Sequence, residues 1–379
     1  MFDRTSPSLR AGSSTHFHSL QALRGIAALA VLVFHLRAVE SKYIPGHTVL
    51  GAVAAHADAG VDLFFVISGF VMAHVGRGRF DGFHAAGSFL MKRAWRVLPL
   101  YWLFTTLTVV LMMALPAIVN SSYPDQSVIR SYLLIPHTQL PVLAVGWTLI
   151  HEAYFYIVFA VAIAIIAERA LTVCLLGWAA VIAYAHIDGY QEMTPLRQLL
   201  ISPLTLEFIV GVLAGLHWRK LPRKLAFAMM ISGIALYLTA AVGLADPLIS
   251  APDPWLRTAT FGTASVLLVL GWVMHESRGK RSAPPVLVAL GDSSYSLYLS
   301  HVFVISAVGR LWAAVVPGQS WGHHVLFVIV ATASACIAGH FIHRWIELPL
   351  LNLAHHSAWA GGRVGRKTTA LGGAPTGNA

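Results

Sequence analysis

Leu20-Gln21-Ala22-Leu23-Arg24-Gly25-Ile26-Ala27-Ala28-Leu29-Ala30-Val31-Leu32-Val33-Phe34-His35-Leu36 is an apolar run with two ionisable side chains, Arg24 and His35. A helix needs about 20 such residues, at 1.5 Å each, to cross a hydrocarbon core of about 30 Å. The run follows a polar leader and carries no convincing cleavage site at its end, so it reads as a retained span, not a removed signal peptide. Runs of the same kind recur as far as Trp345, separated by polar breaks too short for soluble domains. They predict helices near 20–38, 59–76, 97–118, 144–167, 170–187, 197–217, 224–243, 255–275, 290–315 and 323–343. The expected fold is all-α, a polytopic integral membrane protein of about ten transmembrane helices. Residues 19–350 form its single domain, between a leader (1–18) and a Gly-, Ala- and Thr-rich tail (351–379) that both read as disordered.

Composition points the same way, because 57% of residues are hydrophobic and 11% charged, against roughly 25% charged in soluble domains. The net charge of +10 makes no stripe with interleaved aromatics, so nucleic acid is not an expected partner. It sorts by side instead. Six of the 26 Lys and Arg residues, namely Arg37, Lys42, Arg130, Arg197, Arg257 and Arg310, fall on the side away from the N-terminus. The other twenty share the N-terminal side, which predicts both termini in the cytoplasm. Cys174 and Cys336 fall in predicted spans and read as small core hydrophobes with no disulfide or metal role.

An ionisable side chain within a span is expensive unless paired or hydrated, so each one is a candidate for function. Arg24 and His35 are eleven residues apart, which on a helix is three turns plus roughly 20°, so both project from one face about 16 Å apart. Read singly, Arg24 snorkels to inner headgroups and His35 is a packing histidine. Asp62 opens the second span, where it either complements the helix dipole or belongs to a site. Ser68 and Gly69 in that span let a neighbouring helix approach. The following inner loop ends in Lys92-Arg93-Ala94-Trp95-Arg96, and Arg93 and Arg96 share a helical face suited to a phosphorylated donor or to lipid phosphates.

Trp147-Thr148-Leu149-Ile150-His151-Glu152-Ala153-Tyr154-Phe155-Tyr156 opens the fourth span. Glu152 does not fit capping-box spacing and is expected to reach His35 and orient it. Glu207 in the sixth span is likewise unexplained by capping and has no obvious partner. In Ser294-Tyr295-Ser296-Leu297-Tyr298-Leu299-Ser300-His301, Ser294, Tyr298 and His301 share a face, for interhelical hydrogen bonding or for lining a hydrated path. The sequence contains no phosphate-binding P-loop, no dinucleotide fingerprint and no His-Glu-x-x-His, and its nineteen histidines are scattered, so no bound cofactor or metal is expected.

The Leu20–His35 run, Gly60–Phe70, Arg93/Arg96 before Pro99 and Tyr101, Trp147–Tyr156, Ser294–His301 and the closing Glu347-Leu348-Pro349 resemble the membrane acyltransferase-3 family in order and spacing, over roughly residues 20–350. The resemblance implies an inner-membrane O-acyltransferase of exported glycans that uses acetyl-CoA, of the stand-alone exopolysaccharide type without a C-terminal esterase-like domain. It maps Arg24 and His35 onto the family's Arg-x10-His signature and Arg93 and Arg96 onto its Arg-x-x-Arg pair. His35 would then be a general base or a transient acyl carrier, with Arg24 and Glu152 beside it and Arg93 and Arg96 holding the donor. Asp62, Ser68, Trp147, Tyr156, Ser294, Tyr298 and His301 are further site candidates. Expected partners are membrane lipids, acyl-CoA and a glycan or lipid-linked saccharide, with a homo-oligomer left open. Two other readings also remain: a proton-coupled secondary transporter, though no inverted repeat is visible, and a structural subunit of an export complex.

Overall fold

The computed structural model describes residues 17–44, 46, 48–115, 126–186, 194–243, 253–279, 283–316, 318 and 320–353. Among these residues all regular structure is helical. Ten helices are long and apolar enough to cross a membrane: His18–Tyr43, Ala54–Gly76, Gly82–Ala114, Ala144–Ile165, Glu168–Ala185, Pro195–Lys220, Arg223–Gly243, Pro254–Glu276, Ser294–Val315 and Trp321–Leu353. They are called here the first to tenth spans.

The outer wall of the bundle is apolar and its charges turn inward, the reverse of a soluble protein. Met113, Phe83, Val173 and Trp321 stand 72% exposed or more, whereas Asp62, Glu207, Glu347 and His301 are buried. The second and sixth spans are the centre, with 72% and 67% of their apolar stretches enclosed, and the fifth is peripheral at 17%. The second packs along the sixth, the seventh on the eighth, the ninth on the tenth and the third on the fourth. The first span touches the second, eighth, ninth and tenth, so its polar face looks into the bundle.

Two glycines set the central contact. A Cβ on Gly69 would lie 2.1 Å from the Phe208 carbonyl oxygen, and one on Gly211 would lie 2.3 Å from that of Val66. The second and sixth backbones therefore touch at a distance that only glycine permits on both sides. Gly69 is the packing residue the sequence promised, while its neighbour Ser68 faces elsewhere.

Several boundaries differ from expectation. The third helix begins at Gly82, some turns before the predicted start near 97, and places Lys92–Arg96 on a continuous helix instead of a loop. Its first turns carry His84, Ser88, Lys92, Arg93 and Arg96 among their apolar residues, so a search for apolar runs passes over them. Pro99 lies inside this helix, a loss of one backbone bond that membrane helices tolerate. The predicted ninth helix divides at Ser293 into Pro285–Asp292 and Ser294–Val315. The leader, apart from its last two residues, and the tail from 354 lie outside the described residues; helix includes His18 and continues through 351–353, which had been read as unstructured.

Candidate active site

Five spans enclose a chamber of about 130 Å³. Thr148, Glu152 and Tyr156 reach it from the fourth span at four-residue intervals, and Ser294 and Tyr298 reach it from the ninth at the same interval. Such spacing puts each set on one helical face. Arg24 enters from the first span, Ser68 with Phe64 and Phe65 from the second, and Arg93 and Arg96 from the third.

Three guanidinium groups thus converge on one small space, and their partners differ. Arg96 forms an ion pair with Glu347 at 3.0 Å, and Glu347 also accepts from Ser296 Oγ at 2.7 Å and sits 2.8 Å from His343 Nδ1. Arg24 donates through Nη1 to Gln21 Oε1 at 3.3 Å, and Gln21 Nε2 donates to Asp292 Oδ1 at 2.9 Å. Arg93 lies over the rings of Phe89 and Tyr156, 5.7 and 5.9 Å from their centroids, and its buried Nε has no hydrogen-bond partner among the described residues. The Ser294 hydroxyl is buried and likewise without a partner there. A buried donor without a partner forfeits about 1–3 kcal/mol, which a ligand in the chamber would restore.

Glu152 does not orient His35. Its Oε1 accepts from Ser68 Oγ at 2.7 Å and from the Tyr156 hydroxyl, so the carboxylate is anchored on the chamber wall. His35 instead faces His301, with ring centroids 5.1 Å apart. Neither histidine lines the chamber; they lie beyond Tyr298, whose ring is 6.0 Å from both His301 and Phe64. Tyr298 is fixed in that partition by contacts of its hydroxyl with Thr148 Oγ1 at 2.8 Å and the Val145 carbonyl at 2.9 Å.

His301 Nδ1 is 2.7 Å from the Tyr298 carbonyl oxygen and 3.2 Å from that of Leu297. Carbonyl oxygens only accept, so in the neutral ring Nδ1 carries the proton and Nε2 keeps its lone pair. That nitrogen is buried without a partner among the described residues. The pair therefore offers a base, next to a chamber that offers cations.

Asp62 and Trp147 belong to neither feature. Asp62 receives two hydrogen bonds from Arg257, Nη2 to Oδ2 at 2.6 Å and Nε to Oδ1 at 3.1 Å, and Arg257 also holds Asp58 at 2.5 Å. It braces the second span to the eighth, which explains it better than the helix dipole does. Glu207, which had no partner in the sequence, lies against Gly262 of the same eighth span. Trp147 packs edge-on against His151 at 5.6 Å, outside the chamber. Sequence reasoning passed over three residues that matter: Thr148, Tyr295, whose hydroxyl donates to the Val97 carbonyl at 2.7 Å, and Glu347. The signal for Glu347 was present, since it opens Glu347-Leu348-Pro349 and follows His343 by four residues. Among the described residues no group of three or more His, Cys, Asp or Glu side chains is disposed to hold a metal ion.

Charge gathered inside an apolar shell marks a multi-pass membrane protein with ionisable groups turned to its interior. The sequence model for the acyltransferase-3 family, described as an acyltransferase domain, matches residues 17–340. The chain belongs to that family, and is a membrane acyltransferase. The exopolysaccharide production protein ExoZ of Rhizobium meliloti is 31% identical over 314 residues, covering 81% of this chain and 94% of that protein. The acyltransferase MdmB of Streptomyces mycarofaciens is 25% identical over 366 residues, covering 88% and 92%. A Staphylococcus aureus protein provisionally named as an O-acetyltransferase is 24% identical over 375 residues, covering 87% of this chain and 56% of that protein. No solved structure matches the chain significantly.

Proposed function

We propose that this protein transfers an acetyl group from acetyl-CoA to a hydroxyl of an exported glycan or its lipid-linked precursor, as a multi-pass protein of the bacterial inner membrane. The observation that carries the reading is that Tyr298, on the wall of the three-arginine chamber, packs 6.0 Å from His301, which in turn faces His35 at 5.1 Å. Phosphates need cations, and Arg is the side chain suited to hold them. Acyl transfer to a hydroxyl needs a base, and neutral imidazole serves as one. The name of the Rhizobium relative supports an exopolysaccharide as the acceptor class, and that of the Staphylococcus relative supports acetyl as the group moved.

In this mechanism the donor's phosphates rest near Arg93 and Arg96, and the extended pantetheine arm runs along the chamber past Arg24 and Ser294. The thioester end then reaches past Tyr298 to the side on which His35 and His301 lie. His35 takes the proton of the acceptor hydroxyl as the oxygen bonds to the thioester carbonyl carbon. The carbon–sulfur bond breaks, and the departing thiolate takes the proton from the imidazolium to leave free CoA and neutral His35. General-base assistance of this kind is worth about 10² to 10⁴ in rate. His301 is a positioning residue, since the buried ring sets the face on which His35 rests.

Acetyl-CoA labelled separately in the acetyl group and in the adenine distinguishes transfer from transport. The proposal expects membranes holding the protein to leave acetyl label in the glycan and adenine label in solution as CoA. Both labels crossing into vesicles together, with none in glycan, would replace the enzyme by a carrier.

A further inference from the structure

A second cavity, of about 320 Å³, lies where the turn after the second span meets the start of the third helix. Its size is at the lower end of the ~300–1,000 Å³ range of small-molecule sites. Arg79, Asp81, His84, Ser88, Lys92 and Arg93 line it. His84, Ser88 and Lys92 recur at four-residue spacing on the third helix, so one face of that helix supplies half of the polar wall. Arg79 is brought opposite by a turn in which Gly78 takes φ +67° and Gly82 takes φ +74°, a backbone region that favours glycine. Glu168 holds the turn through the Gly78 N–H at 3.0 Å.

Two arginines and a lysine face one carboxylate in this space. Arg93 belongs to both cavities: its guanidinium spans from Phe89, on the wall of this one, to Tyr156, on the wall of the inner chamber. Basic residues at a membrane face ordinarily anchor to headgroups, but these line one open cavity together with a hydroxyl and an arginine whose Nε is unsatisfied among the described residues.

We infer that the cavity bounded by Arg79, Ser88, Lys92 and Arg93 binds the 3′-phosphorylated adenosine end of the donor, and that Arg93 is the threshold past which the pyrophosphate meets Arg96 and the acyl-pantetheine arm continues. The inference rests on the acyl-CoA reading. Arg79 and Lys92 are the phosphate contacts that set donor affinity, and they line neither the inner chamber nor the histidine pair.

The test is calorimetric binding of CoA and of 4′-phosphopantetheine to the full chain in a neutral detergent. Wild-type protein is expected to bind CoA at least tenfold more tightly, and the Arg79→Ala/Lys92→Ala variant to lose that advantage while keeping its affinity for phosphopantetheine. Lys92→Glu, a single change at an exposed position, should reproduce the loss if the double variant fails to fold. A double variant that binds CoA like wild type overturns the inference and leaves the acyl-CoA reading intact; no CoA binding by wild type overturns both. Lipid phosphates offer the same chemistry. Nanodiscs of phosphatidylcholine alone and with phosphatidylglycerol separate the sources: equal CoA affinity in both supports a donor site. Loss of the CoA advantage only with the anionic lipid would give the cavity to headgroups.

Discussion

Glu347 joins three elements through one carboxylate, accepting from Ser296 of the ninth span and contacting His343 of the tenth and Arg96 of the third. Glu347→Ala leaves Arg96 facing the chamber without its counter-ion, and a loss of about 1–3 kcal/mol is expected, read as a lowered unfolding temperature in detergent. Glu347→Gln, which still accepts from Ser296, should fall between the two. Tyr298→Phe tests the partition: it removes the contacts with Thr148 and the Val145 carbonyl, and about 1 kcal/mol of stability is expected to go with them. At this scale the sequence revealed which residues are polar inside a span but not which ones meet. Arg24, Ser68, Arg93, Arg96, Glu152, Tyr156, Ser294 and Tyr298 do share one chamber. Ser68 was missed as a partner of Glu152 because that contact depends on how the second and fourth helices are rotated against each other, which no local spacing encodes.

The spans themselves were legible because hydrocarbon imposes a minimum apolar length, and all ten appear within several residues of expectation except at the start of the third and the end of the tenth. What lies at the interface with headgroups or turns partway, such as Gly82–Arg96 and the short Pro285–Asp292 helix, carries no such length signal. Contacts between helices were legible only through glycine. Gly69→Val or Gly211→Leu is expected to force the second and sixth spans apart, measured as loss of folded protein from the membrane fraction. Arg257→Ala should be among the most destabilising single changes, by about 3–5 kcal/mol, because it leaves the fully buried Asp62 unpaired. The companion Arg257→Ala/Asp62→Asn variant should recover part of that loss in thermal unfolding, whereas additive losses would show that the pair is not the brace.

For the whole molecule, the asymmetry of Lys and Arg gives an expected orientation, with both termini in the cytoplasm. With Cys174 and Cys336 replaced by Ala, an impermeant maleimide added outside intact cells should label His137→Cys and leave Ser277→Cys unlabelled until the membrane is opened; the reverse pattern would invert the protein. The charges give an expected orientation, whereas the order in which helices neighbour one another was not legible. That the second span packs on the sixth and the ninth on the tenth is set by side chains far apart in sequence. Such an arrangement puts cations and histidines next to one another across Tyr298, and the account stands on that adjacency being catalytic. The most direct measurement is to incubate membranes carrying the intact protein, His35→Ala or His301→Ala with radiolabelled acetyl-CoA and the cell's own glycan, at matched expression, and to count label in the glycan fraction. The account predicts labelling by the intact protein, a fall of about 10² or more with His35→Ala and a smaller fall with His301→Ala. Equal labelling by the intact protein and His35→Ala would contradict it.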